Sequence, residues 1–514
     1  MLHVPKLNHW MILPVVIVAL ACLAPALPVR GQLLAESQSE IQRPNIIIVM
    51  ADDMGFSDLG CYGSEIKTPT IDRLASEGLR FSQFYNCAIC GPSRASLMTG
   101  CYPWQVGQKP GVSIFANLNK NCATLLEVMK ANDYTTCAVG RLDMVVGGDW
   151  HDPAQIAKHV DRFLGSASGG PGNYYKQAKG TPWFKDGQVW DRPAGAYSTD
   201  LISQYVDDFI ESTSDSDKPF FLYVSHYAPH WPLQAEKKDI APYRALYQKK
   251  DRQTLMRDRL RRQIKAGLIP EGTTLPASML NPKADRAAKV LPIERMAIHA
   301  AMIESMDRSL GDTMAALKKA NKLQNTLIFV FSDNGASHQL NFDRAVPDGV
   351  RPGSGESFLN HGSALAALSN TPFRNYKVSN YEGGIASPLI AYWPAGLKEP
   401  GRIEHTPWHI ADFMPTCLEL AGIQYPSAFE GRQLIPLVGT SLKPVLNNDA
   451  DQEASRVLVW PKAIRAGDWK LVLGARPELY RIDQDRNEQM DLAAQFPDRV
   501  EELQWLHKKH YSPE

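Results

Sequence analysis

Two short pairs of oxygen-bearing side chains are the first residues in this chain that could do chemistry. Asp52-Asp53 and Asp333-Asn334 offer hard oxygen ligands, the donor type that suits Ca2+ or Mg2+; zinc would ask for His or Cys. Taken alone, Asp52-Asp53 reads as the cap of a turn. Set beside a second pair that also follows an apolar run, it reads as half of an ion site. A third group is Cys90-Gly91-Pro92-Ser93-Arg94, continuing to Thr99-Gly100. The plain reading of such a cysteine is a buried or disulfide-bonded thiol in a proline-containing turn. Arg94 is then the cation of an ordinary ion pair at a helix start. His230, in Ala228-Pro229-His230, and Lys377 complete the set. A lone histidine is commonly structural and a lone lysine commonly solvated, so position has to decide.

The elements that would position these residues are legible as runs. Ile46-Ile47-Ile48-Val49-Met50 is a continuous β-branched stretch, suited to a strand buried on both faces of a parallel sheet, and it leads into Asp52-Asp53. Pro219 to Ser225 predicts a strand before His230, and Thr326 to Phe331 one before Asp333. Tyr134 to Val139 predicts another. Helices are expected over 70–79, over 94–98 just after the cysteine, and over 125–132. The longest expected helix, 294–319, has Met296, His299, Met302, Met306, Leu310, Met314 and Leu317 at helical spacing and Pro292 near its start. Strands alternating with helices give an α/β fold with a largely parallel sheet. In such folds ligands lie beyond the carboxyl ends of strands, where Asp52, His230 and Asp333 all fall. Beyond about Tyr425 the pattern changes. Short strands at 457–460, 469–473 and 478–482, and a helix capped by Asp498 and running to His507, predict a small antiparallel sheet packed on the first domain. The basic segment 249–265 mixes its arginines with Leu255, Leu260 and Ile264. That predicts an amphipathic helix with a solvated face rather than a contact for a polyanionic glycan.

Cys-x-Pro-Ser-Arg with Thr-Gly at this spacing resembles the signature of the type I sulfatases, and the resemblance runs from Pro44 to about Pro497, in style like bacterial arylsulfatases. It implies an alkaline-phosphatase-like α/β fold: a large, mostly parallel sheet flanked by helices, in a catalytic domain over 44–425, with a smaller antiparallel-sheet subdomain over 426–514. It also implies that a formylglycine-generating enzyme oxidises Cys90 to formylglycine. Asp52, Asp53, Asp333, Asn334 and the modified Cys90 would hold one divalent ion, calcium before magnesium. Arg94 would anchor the formylglycine. His230 would contact the sulfate and the leaving oxygen, and Lys377, five residues before Glu382-Gly383-Gly384, would bind sulfate. The implied reaction is hydrolysis of sulfate monoesters, aryl or carbohydrate. A hydroxyl of the hydrated aldehyde attacks sulfur with Asp333 as base, and His230 or Lys377 protonates the leaving group.

Two departures from that pattern stand in the sequence. The family motif Gly-Lys-x-His is replaced by Gly140-Arg141-Leu142-Asp143. Arg141 keeps the charge with a different donor geometry. Asp143, in place of a histidine, would repel sulfate unless paired with Arg141 or protonated, and could act as a base. His151, nearby in Gly148-Asp149-Trp150-His151, could stand in spatially for the missing histidine. Second, a Trp-Glu-His-x-Gly-Asn-type loop is absent, and Trp460-Pro461-Lys462 runs straight into Arg465-Ala466-Gly467-Asp468-Trp469-Lys470-Leu471. Two rival readings follow: a catalytically degenerate sulfatase that binds without turnover, and a phosphate or phosphonate ester hydrolase of the same superfamily.

Composition narrows the partners. Among 514 residues, 55 basic and 55 acidic side chains cancel. No global field therefore argues for nucleic acid or an anionic membrane as partner. Lys6 followed by an apolar run over 11–27, broken by Pro14 and Pro25, predicts a secretory signal peptide over 1–31. No later stretch reaches the roughly 20 apolar residues that span a bilayer, so no transmembrane anchor is expected in the mature form. The expected address is the periplasm or the exterior, bacterial rather than lysosomal, since no Asn-x-Ser/Thr acceptor occurs. Of the eight cysteines, setting aside Cys22 and Cys90 leaves six that an oxidising compartment could pair.

Overall fold

The computed structural model of the chain describes residues 43–108, 116–146, 156, 158–166, 169, 172–177, 181–280, 292–339, 346–449 and 456–512. The expected signal peptide and His151 lie outside these residues.

The longer strands of the eleven-stranded main sheet are β1 (Asn45–Ala51), β2 (Leu79–Tyr85), β3 (Thr135–Arg141), β4 (Arg162–Ser166), β5 (Trp183–Lys185), β6 (Gln188–Trp190), β7 (Phe220–Ser225), β8 (Thr326–Ser332) and β9 (Ala386–Tyr392); two-residue strands at Ile403–Glu404 and Trp408–His409 pair with β2 at the edge. Across the sheet they run β2-β9-β8-β1-β7-β3-β4-β5-β6. The five central strands, β8-β1-β7-β3-β4, are parallel. Every residue of β1, β7 and β8 is buried, as an uninterrupted apolar run requires. Register brings their ends level: Ala51 lies opposite Ser332, and Met50 opposite Ser225. The chain then leaves the sheet at one edge from all three strands. Two hydrogen bonds carry the ladder a step further, Asp333 N–H to Ala51 O at 3.2 Å and His226 N–H to Met50 O at 2.9 Å.

The flank formed by β9 and β2 is antiparallel and carries no counterpart in the strands expected from sequence. Pro388 breaks the apolar run of β9, and proline is tolerated in sheets only at edges and bulges. Here the register shifts between Ser387 and Leu389, which accommodates it.

Helix α1 (Cys90–Thr99) begins at the cysteine itself rather than after it, and all ten of its residues are buried. Ile89 caps it without a side-chain bond, so no capping residue marks the start; Gly100, at φ 65°, ends it. Helix α2 (Arg252–Lys265) is amphipathic as expected, but its face is not simply solvated. Arg259 is buried and donates to Asp58 at 3.0 Å and to Glu65 at 2.8 Å. These partners lie far away in sequence, so a helical reading could not find them. The long helix α3 (Pro292–Lys319) buries the predicted methionine-rich stripe, including His299, whose Nε2 meets Asp58 at 3.0 Å.

The C-terminal sheet is an antiparallel meander of β10 (Val457–Trp460), β11 (Ala463–Ala466), β12 (Trp469–Leu473) and β13 (Pro477–Arg481). β11, four residues long, is additional to the strands read from sequence. The last helix, α4 (Pro497–His510), starts after Phe496, which caps it without a side-chain bond; Asp498 sits inside the first turn rather than at the cap. Trp104 shares a core with Val459, Ile464, Leu471, Leu479 and Leu503, and residues 41–514 form one compact unit. Beneath this contact runs a buried charge network. Lys470 Nζ lies 2.8 Å from both Glu382 and Glu488, and Arg486 Nε and the Tyr85 hydroxyl donate to the other Glu382 oxygen at 3.2 and 2.9 Å.

Among the described residues Cys61, Cys87, Cys90, Cys101, Cys122, Cys137 and Cys417 are free thiols, so the six cysteines available for pairing are unpaired. No described helix is long and apolar enough to cross a membrane.

Candidate active site

The predicted residues that fall among the described positions converge at the carboxyl edge of the parallel strands. β1 delivers Asp52 and Asp53, and Asp53 turns through a left-handed conformation (φ 68°) that aspartate tolerates. Its own N–H donates to Asp333 Oδ1 at 3.2 Å, tying the ends of β1 and β8 together. Asp53 Oδ1 accepts from Asn334 Nδ2 and from Lys377 Nζ, both at 2.6 Å. Lys377 Nζ reaches Cys90 Sγ at 2.9 Å, and Cys90 Sγ lies 3.5 Å from Asp52 Oδ1.

Arg94, one turn along α1 from the cysteine, is fully buried. It donates to Asp333 Oδ2 at 3.1 Å, to the Arg141 carbonyl at 2.9 Å, to the Tyr223 hydroxyl at 3.2 Å and to Ser225 Oγ. Arg141, at the end of β3, bridges Asp52 Oδ2 and Asp143 Oδ2, each at 2.5 Å. Asp143 is thus paired, the condition under which a carboxylate there is tolerable, and its Oδ1 accepts the Gly169 N–H at 2.8 Å. His230 Nδ1 lies 2.6 Å from the Trp231 carbonyl, and Nε2 3.7 Å from Asp53 Oδ2. A carbonyl only accepts, so Nδ1 carries a proton and donates it to the Trp231 carbonyl, which leaves Nε2 facing the carboxylates.

Tyr223 and Ser225 on β7, which anchor Arg94, were not singled out in the sequence. Nothing in their spacing marks them apart from other strand residues. The same holds for Tyr174, whose hydroxyl donates to the carbonyls of Tyr227 and His230 at 2.7 and 2.8 Å and so fixes the histidine loop.

Charge in this pocket is dense and dry. Burial opposes ionisation of Asp52, but Arg141, His230, Arg94 and Lys377 hold it well below the usual carboxylate range. Burial and the neighbouring Asp52 push Asp333 up to about 7. Burial and Asp52 likewise push the Cys90 thiol well above its ordinary value. Burial works against the Lys377 ammonium, yet Asp53, Cys90 and Asp52 outweigh it and keep the lysine charged. Burial lowers His230, against the pull of Asp52 and Asp53 in the other direction.

Two buried oxygens, Asp53 Oδ2 and Asn334 Oδ1, have no hydrogen-bond donor. Ligand atoms of Asp52, Asp53, Cys90 and His230 lie within 4.8 Å of one another. Buried polar atoms are rarely left unpaired. Orphaned oxygens among four carboxylates fit an oxygen-seeking cation.

The site thus lies at the carboxyl ends of a parallel sheet, where ligands bind in such folds, with the cysteine at the first turn of a buried helix. Residues 44–423 match the family model described as Sulfatase, and the chain belongs to the sulfatase family. It is 29% identical to an uncharacterized sulfatase of Schizosaccharomyces pombe over 91% of this chain and 94% of that one. It is 29% identical to an arylsulfatase of Klebsiella aerogenes, covering 79% of this chain and 92% of the relative. A crystal structure of Ps i-CgsB in complex with k-i-k-neocarrahexaose superposes with a TM-score of 0.68 at 26% identity, covering 92% of this chain and 94% of that one. The alkaline-phosphatase-like fold with its small C-terminal antiparallel sheet is therefore that of the solved sulfatases.

Proposed function

We propose that this protein hydrolyses sulfate monoesters, using a formylglycine made from Cys90 and one divalent cation held by Asp52, Asp53, Asp333 and Asn334. The observation that carries the reading is the position of Lys377 Nζ, within 2.6 Å of Asp53 and 2.9 Å of Cys90 Sγ, beside two oxygens that lack any donor. The thiol sulfur stands where a hydroxyl of the hydrated aldehyde would stand. A formylglycine there supplies a nucleophile with two hydroxyls. A calcium ion, or magnesium in its place, supplies polarisation of the sulfate.

The chain's own residues do the rest. Lys377 binds a sulfate oxygen with its ammonium, and Arg94 holds the carboxylates of the site in place. His230, protonated at Nε2, gives its proton to the leaving oxygen. Asp333, the carboxylate raised by burial and Asp52, takes the proton of the attacking hydroxyl. Arg141 orients Asp52 and neutralises Asp143. In this reading a formylglycine-generating enzyme matures the chain, a signal peptide over 1–31 exports it to the periplasm or exterior, and the catalytic domain and C-terminal subdomain span 44–425 and 426–514.

Mass spectrometry of the tryptic fragment bearing Cys90, joined to an aryl sulfate turnover assay on the same sample, tests the reading. Conversion with turnover is expected. An unmodified Cys90 in a host that matures other sulfatases sinks it. One observation favours a second reading, binding without turnover: Arg141 and Asp143 occupy each other at 2.5 Å. The double substitution R141K/D143H separates the two. A large gain in turnover supports degeneracy; a loss shows that the native pair serves catalysis.

A further inference from the structure

Lys377, on which the proposed reaction relies for sulfate, sits on a loop whose backbone is strained. Asn375 and Val378, to either side of it, have left-handed φ angles of 64° and 80°. Asparagine tolerates that conformation; a β-branched valine adopts it only where its surroundings impose it. Two backbone hydrogen bonds tie the lysine's own stretch to the site. Lys377 N–H donates to the Ala336 carbonyl at 3.0 Å, just beyond Asp333-Asn334, and Val378 N–H donates to the Ala88 carbonyl at 2.8 Å, just before Cys90. The loop closes at its base, where the Gly383 N–H meets the Arg374 carbonyl at 3.0 Å and a Cβ on Gly383 would stand 2.3 Å from that oxygen.

The groups that grip this base come from the C-terminal sheet. Alternate side chains of a strand point to opposite faces, and along β13 Leu479 joins the small core with Leu503 while Glu478 and Tyr480 turn to the loop. Arg374 Nη2 donates to Glu478 Oε2 at 2.8 Å and to the Tyr480 hydroxyl oxygen at 3.0 Å. The guanidinium carbon lies 4.2 Å from the ring centroid of Tyr381, at the far end of the loop, and 5.5 Å from that of Tyr480, on the sheet. One cation thus joins both ends of the loop to β13. Next to it, Glu382 is fixed by Lys470 of β12 and by Glu488 and Arg486, and the Lys462 N–H donates to Asn380 Oδ1 at 3.0 Å. The Arg374 and Glu478 side chains are 24% and 33% exposed. An ion pair so open to water adds little to stability; what it can add is placement.

We propose that Arg374 is a positioning residue for sulfate ester hydrolysis, held by Glu478 and Tyr480 so that the strained loop presents Lys377 to the sulfate. The inference rests on the sulfatase reading and adds to it that the C-terminal sheet completes the sulfate-binding site.

The test uses the full-length matured protein and 4-nitrophenyl sulfate. Arg374→Ala should raise KM about tenfold and lower kcat less than about threefold, because an ammonium moved off the sulfate loses binding shared by the ground and transition states. Glu478→Gln should raise KM less, and Arg374→Lys, which keeps the charge without the planar face, should fall between Arg374→Ala and wild type. All three should melt within about 2 °C of wild type. A pair that served the fold alone would move the melt and leave KM where it was. Amide hydrogen exchange read by mass spectrometry follows the loop without catalysis. The peptide holding Lys377 and Val378 should exchange at least about tenfold faster in Arg374→Ala, with the β1 peptide unchanged. Unchanged exchange in the loop peptide overturns the inference, and so does an unchanged KM. A wild type that turns over no sulfate ester fells the enzymatic reading instead, and the exchange result then decides by itself whether Arg374 holds the loop.

Discussion

The molecule buries charge in two places, and they are built differently. In the network under the C-terminal sheet, each oxygen of Glu382 and Glu488 faces a donor or a cation: Lys470, Arg486, the Tyr85 hydroxyl, or the Glu382 N–H. At the end of the parallel strands, Asp52, Asp53, Asp143 and Asp333 face Arg94, Arg141 and Lys377, and two oxygens are left without donors. In the first cluster every carboxylate oxygen is answered, although Arg486 Nη2 has no hydrogen-bond partner among the described residues, and the cluster acts as scaffold. The second is incomplete, as a site that binds something must be. Its incompleteness, more than its charge, marks it as functional.

Three experiments bear on this contrast, in falling order of effect, and a fourth stands outside it. Cys90→Ala should abolish sulfate ester turnover, a loss of more than about 10^3 in kcat, while the melting temperature stays within a few degrees of wild type. A variant that retains turnover would remove Cys90 from the chemistry. Lys470→Met should do the reverse. It leaves Glu382 and Glu488 buried without their shared cation, at a cost of about 3–5 kcal/mol, read by urea unfolding. A neutral result would show that the network is not a scaffold. Chelation of divalent ions should lower stability by about 3 kcal/mol for an ion bound at a hundred times its Kd, with recovery on adding Ca2+. The drop should vanish in Asp53→Asn and persist in a variant of Glu488; a chelation-insensitive melt would break the comparison at its core.

The smallest effect belongs to a buried carboxyl outside both clusters. Asp307 accepts the Ile71 N–H at 2.8 Å and is pushed up to about 6 by burial. Its folded value lies above its unfolded one, so the native state binds the proton more tightly. The contribution is fully present below about pH 4 and is lost as pH rises through about 6, no more than about 3 kcal/mol in all. Asp307→Asn should therefore gain on wild type across that window. Parallel stability–pH curves would sink the idea.

The site was legible in the sequence to the extent that chain direction carries it. Apolar runs ending at Asp52, before His230 and at Asp333 place three groups at one sheet edge, once the strands are read as parallel. The condition set on Asp143, pairing with Arg141, could be named from the sequence, but only the fold shows it met. What the sequence hid depends on distant partners. Arg259 looks solvated until Asp58 and Glu65 are brought to it. β9 is disguised by Pro388, and the start of α1 by the absence of a capping side chain at Ile89. Tyr223 and Ser225 read as ordinary strand residues because a guanidinium's needs are met only in three dimensions.

On the chemistry proposed, the burial of α1 also sets an order of events in time. Every residue from Cys90 to Thr99 is closed off, and the cysteine itself is 2% exposed. A modifying enzyme that must grasp this stretch can do so only before the helix docks. Folding and maturation then race once per molecule, and the loser is not given a second start. The fraction of working protein in a preparation would record how fast the newborn chain was met, and no later incubation with the modifying enzyme would raise it.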